Sequence, residues 1–252
     1  MNRAFGFVFE CPVEATPNAE PVALRQLYKL ARIVPLGHRV RLAHELIGAL
    51  ENFHRVGWVH KNISSHSITF LPRNPLLPQP PASISIGKHE GSTQGAPVTF
   101  GLASPWLFGF DTSRPEEAHS LMGEDHSLNK NIYQHPARWG RPSLKFIKAH
   151  DVYSLGVVLL EIAFWKDALS IAEIPKQDVS HKTQPLVAEN VRAALSVKCS
   201  RMLPHQVGQL LTDTILSCLD FAENTRDLAA YEKHRYYETH VADKMAKAVG
   251  RI

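Results

Sequence analysis

The stretch HDVYSLGVVLLEIAFW, residues 150–165, is the feature that most limits the folds open to this chain. It is apolar on nearly every side of a helix for more than three turns, so other elements must cover it completely. The run is too short to span a bilayer and carries Glu161 within it. We therefore predict a soluble domain built around one central buried helix.

Composition excludes several classes of function. The chain has 252 residues, enough for one large domain, and its net charge of +4 comes from Lys and Arg residues interleaved with acids. This pattern is typical of a solvated surface, so we expect neither a nucleic-acid partner nor a membrane. Cys11, Cys199 and Cys218 form no zinc-binding spacing, and the fourteen histidines form no HExxH motif. We expect no bound metal and a reducing, cytoplasmic location.

Apolar residues recur with a helical period in several other segments. Pro21 suits the first turn of one of these helices, and Gly57 suits the end of another. The tail is charged, and two alternatives stay open for it: it packs on the domain or it is partly frayed. The predicted helices cover residues 21–33, 37–57, 185–195, 203–222 and 229–249.

Strand signals are short and separated by polar loops. FGFVFE near the N-terminus, SITFL and PWLFGF have the β-branched and aromatic character of strands. Residues 72–104 are rich in Pro, Gly, Ser and Gln, which predicts a mobile surface insertion, although SISIG within it alternates like a strand. Residues 111–131 read as a long loop.

Three motifs in order resemble the C-terminal lobe of a eukaryotic protein kinase. LAHELIGALENFHRVGWVHKN resembles the helix and catalytic loop that kinases write as LxxALxYLHxxGIVHRD. YQHPARW lies where kinases have YxAPE, and HDVYSLGVVLLEI resembles their central helix. FGFVFECP, WLFGFDTSRP and LLEIAFWK more narrowly resemble the kinase-like domains that follow HeLo-type domains in fungal incompatibility proteins.

This resemblance implies a mainly α fold (α+β) with a few short strands. Residues 1–252 would form one kinase-like domain whose N-terminal lobe is largely missing. Residues 1–12 would be the last strand of that lobe and the hinge. Residues 13–222 would be the C-terminal lobe with the insertion at 72–104, and residues 223–252 a helical tail. The Gly-rich loop and the strand lysine that hold ATP in kinases are not found in the sequence.

The catalytic positions have lost their chemistry in this alignment. HKNISSHS places His60, Lys61, Asn62 and Ser67 on the HRDxxxxN pattern. Asn62 then replaces the aspartate that accepts the substrate proton, and an amide cannot act as a base. Lys61 keeps a positive charge without the planar geometry of arginine. Ser67 replaces the asparagine that binds magnesium.

The metal-binding DFG motif is also altered, in either of two alignments. Aligning LFG puts Leu107 in place of the aspartate, whereas aligning GFDTSR puts Gly109 there, followed by Phe110 and Asp111. The second alignment is preferred because the following Ser and Arg also match.

Two scaffold positions of the family complete the comparison. Ala137 replaces the glutamate of APE, so the partner of that glutamate is expected to differ as well. Asp151 is retained, and the resemblance implies that it accepts hydrogen bonds from the catalytic-loop backbone.

Three hypotheses follow from these residues. The first is a catalytically inactive pseudokinase that binds a protein partner and needs no cofactor. The second is an atypical ATP-dependent protein kinase that holds magnesium with Asp111 and Ser67. The third is a truncated or degraded paralogue with an exposed, poorly soluble surface. Retention of His60 and Asp151 beside the lost base favours the first.

Overall fold

A computed structural model describes residues 12–16, 20–87, 97–118, 127–140, 145–173 and 184–251. Helices hold 57% of this part and strands 11%, so the prediction of a mainly α protein is confirmed. The predicted strand FGFVFE and Cys11 lie outside the described residues. The helices are α1 (Leu24–Leu30), α2 (Leu36–Arg55), α3 (Leu128–Asn131), α4 (Lys148–Phe164), α5 (Ala168–Ala172), α6 (Gln184–Val207), α7 (Gln209–Leu219), α8 (Phe221–Asn224), α9 (Ala230–Tyr237) and α10 (Asp243–Val249).

The central buried helix predicted from the sequence is α4. Every side chain from Ala149 to Ala163 is buried, because α2, α5, α6, α7 and α8 all contact it. The N–H of Ile147 donates to Nδ1 of His150 at its start (3.2 Å), and the left-handed Trp165 ends it. None of the described helices combines the length and apolar character that crossing a membrane requires.

The N-terminal helix is shorter than predicted. Pro21 precedes a short strand rather than opening the helix, and Ala31 is already extended. Leu24 and Leu27 are nevertheless fully buried, so the apolar stripe was identified correctly. The helix ends early because Ala31 turns to offer its carbonyl to the indole N–H of Trp165 (2.6 Å).

The strands form three small antiparallel sheets. The strands are β1 (Val22–Ala23), β2 (Trp58–Val59), β3 (Ile68–Phe70), β4 (Ser83–Ile86), β5 (Val98–Gly101), β6 (Trp106–Leu107) and β7 (Arg114–Pro115). In the first sheet, β3 lies between β1 and β6. In the other two, β2 pairs with β7 and β4 pairs with β5.

Residues 72–87 and 97–104 are the described parts of the predicted surface insertion. They form the hairpin of β4 and β5, in which the predicted strand SISIG is β4. Ile84, Phe100 and Leu102 are buried in the main core, which ties the hairpin to the domain. The high Pro and Gly content gave no sign of this packing in the sequence, because the core contacts come from a few alternating residues between polar turns.

The predicted helix 203–222 covers the end of α6, all of α7 and the start of α8. α6 runs on through Pro204 to Val207, and Gly208, at a φ of 84°, separates it from α7. Glycine adopts this left-handed conformation at little cost, so it ends one helix and allows the next to begin in a new direction. The apolar stripe predicted for this region therefore belongs mainly to α7.

The C-terminal tail packs on the domain, which resolves its two alternatives. α9 continues through a π-helical turn (Glu238–Ala242) into α10, and these elements contact α2 and α7. Val241 and Met245 are fully buried, and the hydroxyl of Tyr237 donates to the carbonyl of Ile47 (2.9 Å). Residues 223–251 thus belong to the same core as the rest.

Candidate functional site

The segment predicted to be a degenerate catalytic loop lies between α2 and β3. Gly57, at a φ of 80°, ends the turn after α2, and β2 then leads to His60. Lys61 has a φ of 70°, which a side chain-bearing residue adopts only when its surroundings compensate for the strain. The loop is therefore held in one conformation by contacts from elsewhere in the fold.

Asp151 supplies those contacts. Its carboxylate accepts the backbone N–H of His60 at Oδ2 (2.7 Å) and that of Lys61 at Oδ1 (2.8 Å). His54 Nε2 lies 3.2 Å from Oδ2. Asp151 is fully buried, and these contacts with its oxygens offset the cost of burying the charge. The hydrogen bonds expected between Asp151 and the loop are present, and His54 is a partner that the sequence did not indicate.

The imidazole ring of His60 packs against two phenylalanine rings. It is fully buried, with ring centroids 5.7 Å from Phe53 and 4.8 Å from Phe110. Burial lowers the pKa of His60, and the carboxylates of Asp151 and Asp111 oppose this only in part. The imidazole is therefore neutral at pH 7, and its Nδ1 accepts the N–H of Asn62 (3.3 Å).

Asn62 lies against Gly109. A Cβ atom added to Gly109 would come within 2.4 Å of Asn62 Nδ2, and Gly109 has a φ of 88°. Only glycine satisfies both conditions. Ser113 follows close behind and donates from Oγ to the carbonyl of His60 (3.1 Å). Residues 109–113 therefore pack directly against the loop between α2 and β3.

The hydroxyl of Ser67 is already engaged in hydrogen bonds. It is buried, and its Oγ donates to the carbonyl of Ser64 (3.0 Å) and accepts the N–H of Ser64 (3.0 Å). Asp111 is exposed. The structure therefore brings His60, Lys61, Asn62, Gly109 and Phe110 together, whereas Ser67 is used to close the turn.

Three cations lie near one another beside the loop. Burial lowers the pKa of Lys61, with further contributions from Arg114 and Arg138. Arg114 donates to the backbone carbonyls of Pro115, Glu116 and Phe146, which anchors the residues after β7. The positive charges around Lys61 thus stabilise neighbouring backbone segments.

The YQHPARW motif contacts the C-terminal helices through a histidine. Ala137, which the kinase resemblance would align with a glutamate, is exposed. His135 Nε2 instead lies 3.3 Å from Glu223 Oε1, to which Arg192 also pairs (3.0 Å). Arg192 reaches Asp220 as well (3.2 Å).

A second buried network escaped sequence analysis. The Tyr133 hydroxyl donates to Glu161 Oε1 (2.7 Å) and lies 2.8 Å from the Ser65 hydroxyl. The N–H of Ala168 also donates to Glu161 Oε1 (2.7 Å). Burial raises the pKa of Glu161 to about 7 against these bonds, which lower it. The one available signal was the placement of Glu161 inside an apolar run.

Comparison of the chain with models of known protein families and with curated proteins gives no match.

Proposed function

We propose that the chain is a degenerate protein kinase-like fold that does not transfer phosphate and acts by binding another protein. The observation that carries the proposal is the contact of the buried Asp151 with the backbone of His60 and Lys61. This contact maintains the shape of a catalytic loop whose base position holds Asn62. An amide in that position can donate or accept a hydrogen bond but cannot remove a proton.

The surroundings of Asn62 support the loss of metal-assisted chemistry. The Ser67 hydroxyl is engaged with Ser64, so it would have to break two hydrogen bonds to bind magnesium. Asp111 is exposed. In the described part of the chain, Glu51, His234 and Glu238 form the one group of three side chains close enough to share a cation, and Asp111 is not part of it. A single solvated carboxylate is a weak magnesium site.

Contacts of the two candidate phenylalanines favour the alignment of GFDTSR on the DFG motif. Phe110 packs on the rings of His60 and Phe53, whereas no ring contact of Phe108 is found in the described residues. In this alignment Gly109 replaces the metal-binding aspartate. The narrower resemblance to HeLo-associated domains stays a prediction.

Exposed aromatic side chains beside the loop support a role in protein binding. Four aromatic side chains are each 37–45% exposed: Trp58, Trp106, Phe108 and Phe110. Phe53 makes ring contacts with both Trp58 and Phe110. Aromatic side chains are enriched at protein interfaces, where they bury a large area at low entropic cost. We propose that a protein partner covers this face.

The test is a thermal-shift titration of the chain with ATP, with and without magnesium. We expect no change in melting temperature for the native chain or for Asn62→Asp, because restoring the carboxylate alone does not rebuild a nucleotide site. A magnesium-dependent rise in the native chain would contradict the proposal and favour the atypical kinase.

A phosphorylation assay separates the two classes further. After incubation with radiolabelled ATP, we expect no label on the chain and none on a generic protein substrate. Labelling that disappears in Asp111→Ala and persists in Glu117→Ala would overturn the proposal. Glu117 is a fair control because its side chain is 96% exposed.

A further inference from the structure

A groove of about 560 Å³ lies between the C-terminal half of α2, the start of α4 and helix α9. Its lining includes Glu51 and His54 of α2, Lys148 of α4 and His234 of α9. Of these residues, only His54 also belongs to the candidate site, where it contacts Asp151. At its α9 side, Glu238 follows His234 by one helical turn.

Glu51, His234 and Glu238 bring three potential ligand atoms together. All three atoms lie within 4.8 Å of one another, and this is the one such group found in the described residues. His234 Nε2 is 3.1 Å from Glu238 Oε1, as the i,i+4 spacing on a helix allows. The Tyr237 hydroxyl binds the carbonyl of Ile47, so α9 is fixed against α2 beside the cluster.

We propose that Glu51, His234 and Glu238 bind a zinc ion that links α9 to α2. One imidazole nitrogen and two carboxylate oxygens form a ligand set that zinc accepts, with water in the fourth position. Calcium and magnesium prefer sites built entirely from oxygen atoms, so they bind this set poorly. The sequence did not indicate the site because its third ligand lies on a distant helix.

Arg55 is the resident cation that zinc must displace. Its Nη2 lies 2.8 Å from Glu51 Oε1 and 3.8 Å from Glu238 Oε1. The Arg55 side chain is 57% exposed, so it can turn into solvent when zinc binds. Competition between the two cations predicts that zinc binds more tightly when Arg55 is removed.

Isothermal titration of the tag-free chain with zinc chloride tests the proposal. We expect one zinc per chain, and at least about tenfold weaker binding in His234→Ala and in Glu51→Gln. Matched controls are His205→Ala and Glu45→Gln, which remove an exposed histidine and an exposed carboxylate that do not line the groove. Calcium and magnesium at the same concentration should give no saturable binding.

Two further variants make the result specific. Arg55→Gln should bind zinc more tightly than the native chain, whereas a purely structural role of Arg55 predicts no gain. Cys11→Ser should bind as the native chain does, which excludes a thiol ligand. Absence of saturable binding, equal binding by His234→Ala, or loss of binding in Cys11→Ser would overturn the proposal. Circular dichroism of each variant confirms that it is folded.

Discussion

At the scale of single residues, the loop keeps its shape because one buried carboxylate satisfies two backbone donors. Asp151 holds the N–H groups of His60 and Lys61, and Lys61 adopts a positive φ at the same place. Neither Asn62 nor Ser67 is required for this contact. The conformation of the loop therefore does not depend on the side chains at positions 62 and 67.

Asp151→Asn tests this arrangement. An asparagine carries no charge and presents a donor to one of the two backbone N–H groups. We expect the free energy of unfolding to fall by about 2 kcal/mol, in the range for hydrogen bonds to charged groups. Urea denaturation measures the loss, and Asp243→Asn, on an exposed position of α10, is the control. A loss equal to that of the control would refute the role given to Asp151.

Glu161 predicts a specific pH dependence. Its folded pKa of about 7 lies above its ordinary value, so the folded state favours the protonated carboxyl. The stability contributed by Glu161 is fully present below pH 4.5 and is lost as the pH rises through 7. Burial lowers the pKa of His150 to about 3, which acts in the opposite direction. The test must therefore compare variants.

We expect Glu161→Gln to gain stability relative to the native chain between pH 5 and pH 8. The relative gain should be on the order of 2 kcal/mol, because the variant has no carboxyl to ionise. Urea denaturation at both pH values measures it. A difference between the two proteins that does not change with pH would contradict the prediction.

At the scale of elements, α4 and α7 approach closely because Gly156 has no side chain. A Cβ atom at position 156 would lie 2.8 Å from Cys218 Cβ and 3.1 Å from the backbone nitrogen of Leu219. Cys218 is fully buried there, as expected of a small apolar residue, and burial raises its pKa. The distance between these two helices is thus set by one glycine.

Two glycine-to-alanine changes should have opposite effects. Gly156→Ala should destabilise the chain by about 2 kcal/mol, because the helices must separate. Gly48→Ala should stabilise it by up to about 1 kcal/mol, since alanine favours helix and nothing lies within 4 Å of the new Cβ. Thermal unfolding of both variants measures the effects. Stabilisation by Gly156→Ala would show that the contact can relax.

At the scale of the whole molecule, the C-terminal helices complete the core. α10 contacts both α2 and α7, and its Met245 side chain is fully buried. The hairpin of β4 and β5 joins the same core from the other end of the chain. Segments that looked peripheral in the sequence are therefore integral to the fold.

Met245→Ala measures the contribution of the tail. We expect a loss of about 3 kcal/mol, as for other large-to-small changes in a core. Met202→Ala, at a methionine that is 42% exposed, should change stability by less than about 0.5 kcal/mol. Equal effects in chemical denaturation would mean that the tail is not part of the cooperative unit.

Much of the helical architecture could be predicted because local periodicity carries it. α2 and α4 were identified with nearly correct bounds, since each buries a stripe or a surface that recurs along consecutive turns. The early end of α1 and the break at Gly208 were missed. Both depend on a partner or a turn that no local pattern specifies.

The sequence by itself determined a mainly helical fold and its central buried helix. Only the tertiary structure decided that His54 contacts Asp151, that Glu161 pairs with Tyr133, and that Glu51 meets His234. These contacts join residues far apart in the chain. Their partners are chosen by the packing of helices in three dimensions, which a one-dimensional period cannot encode.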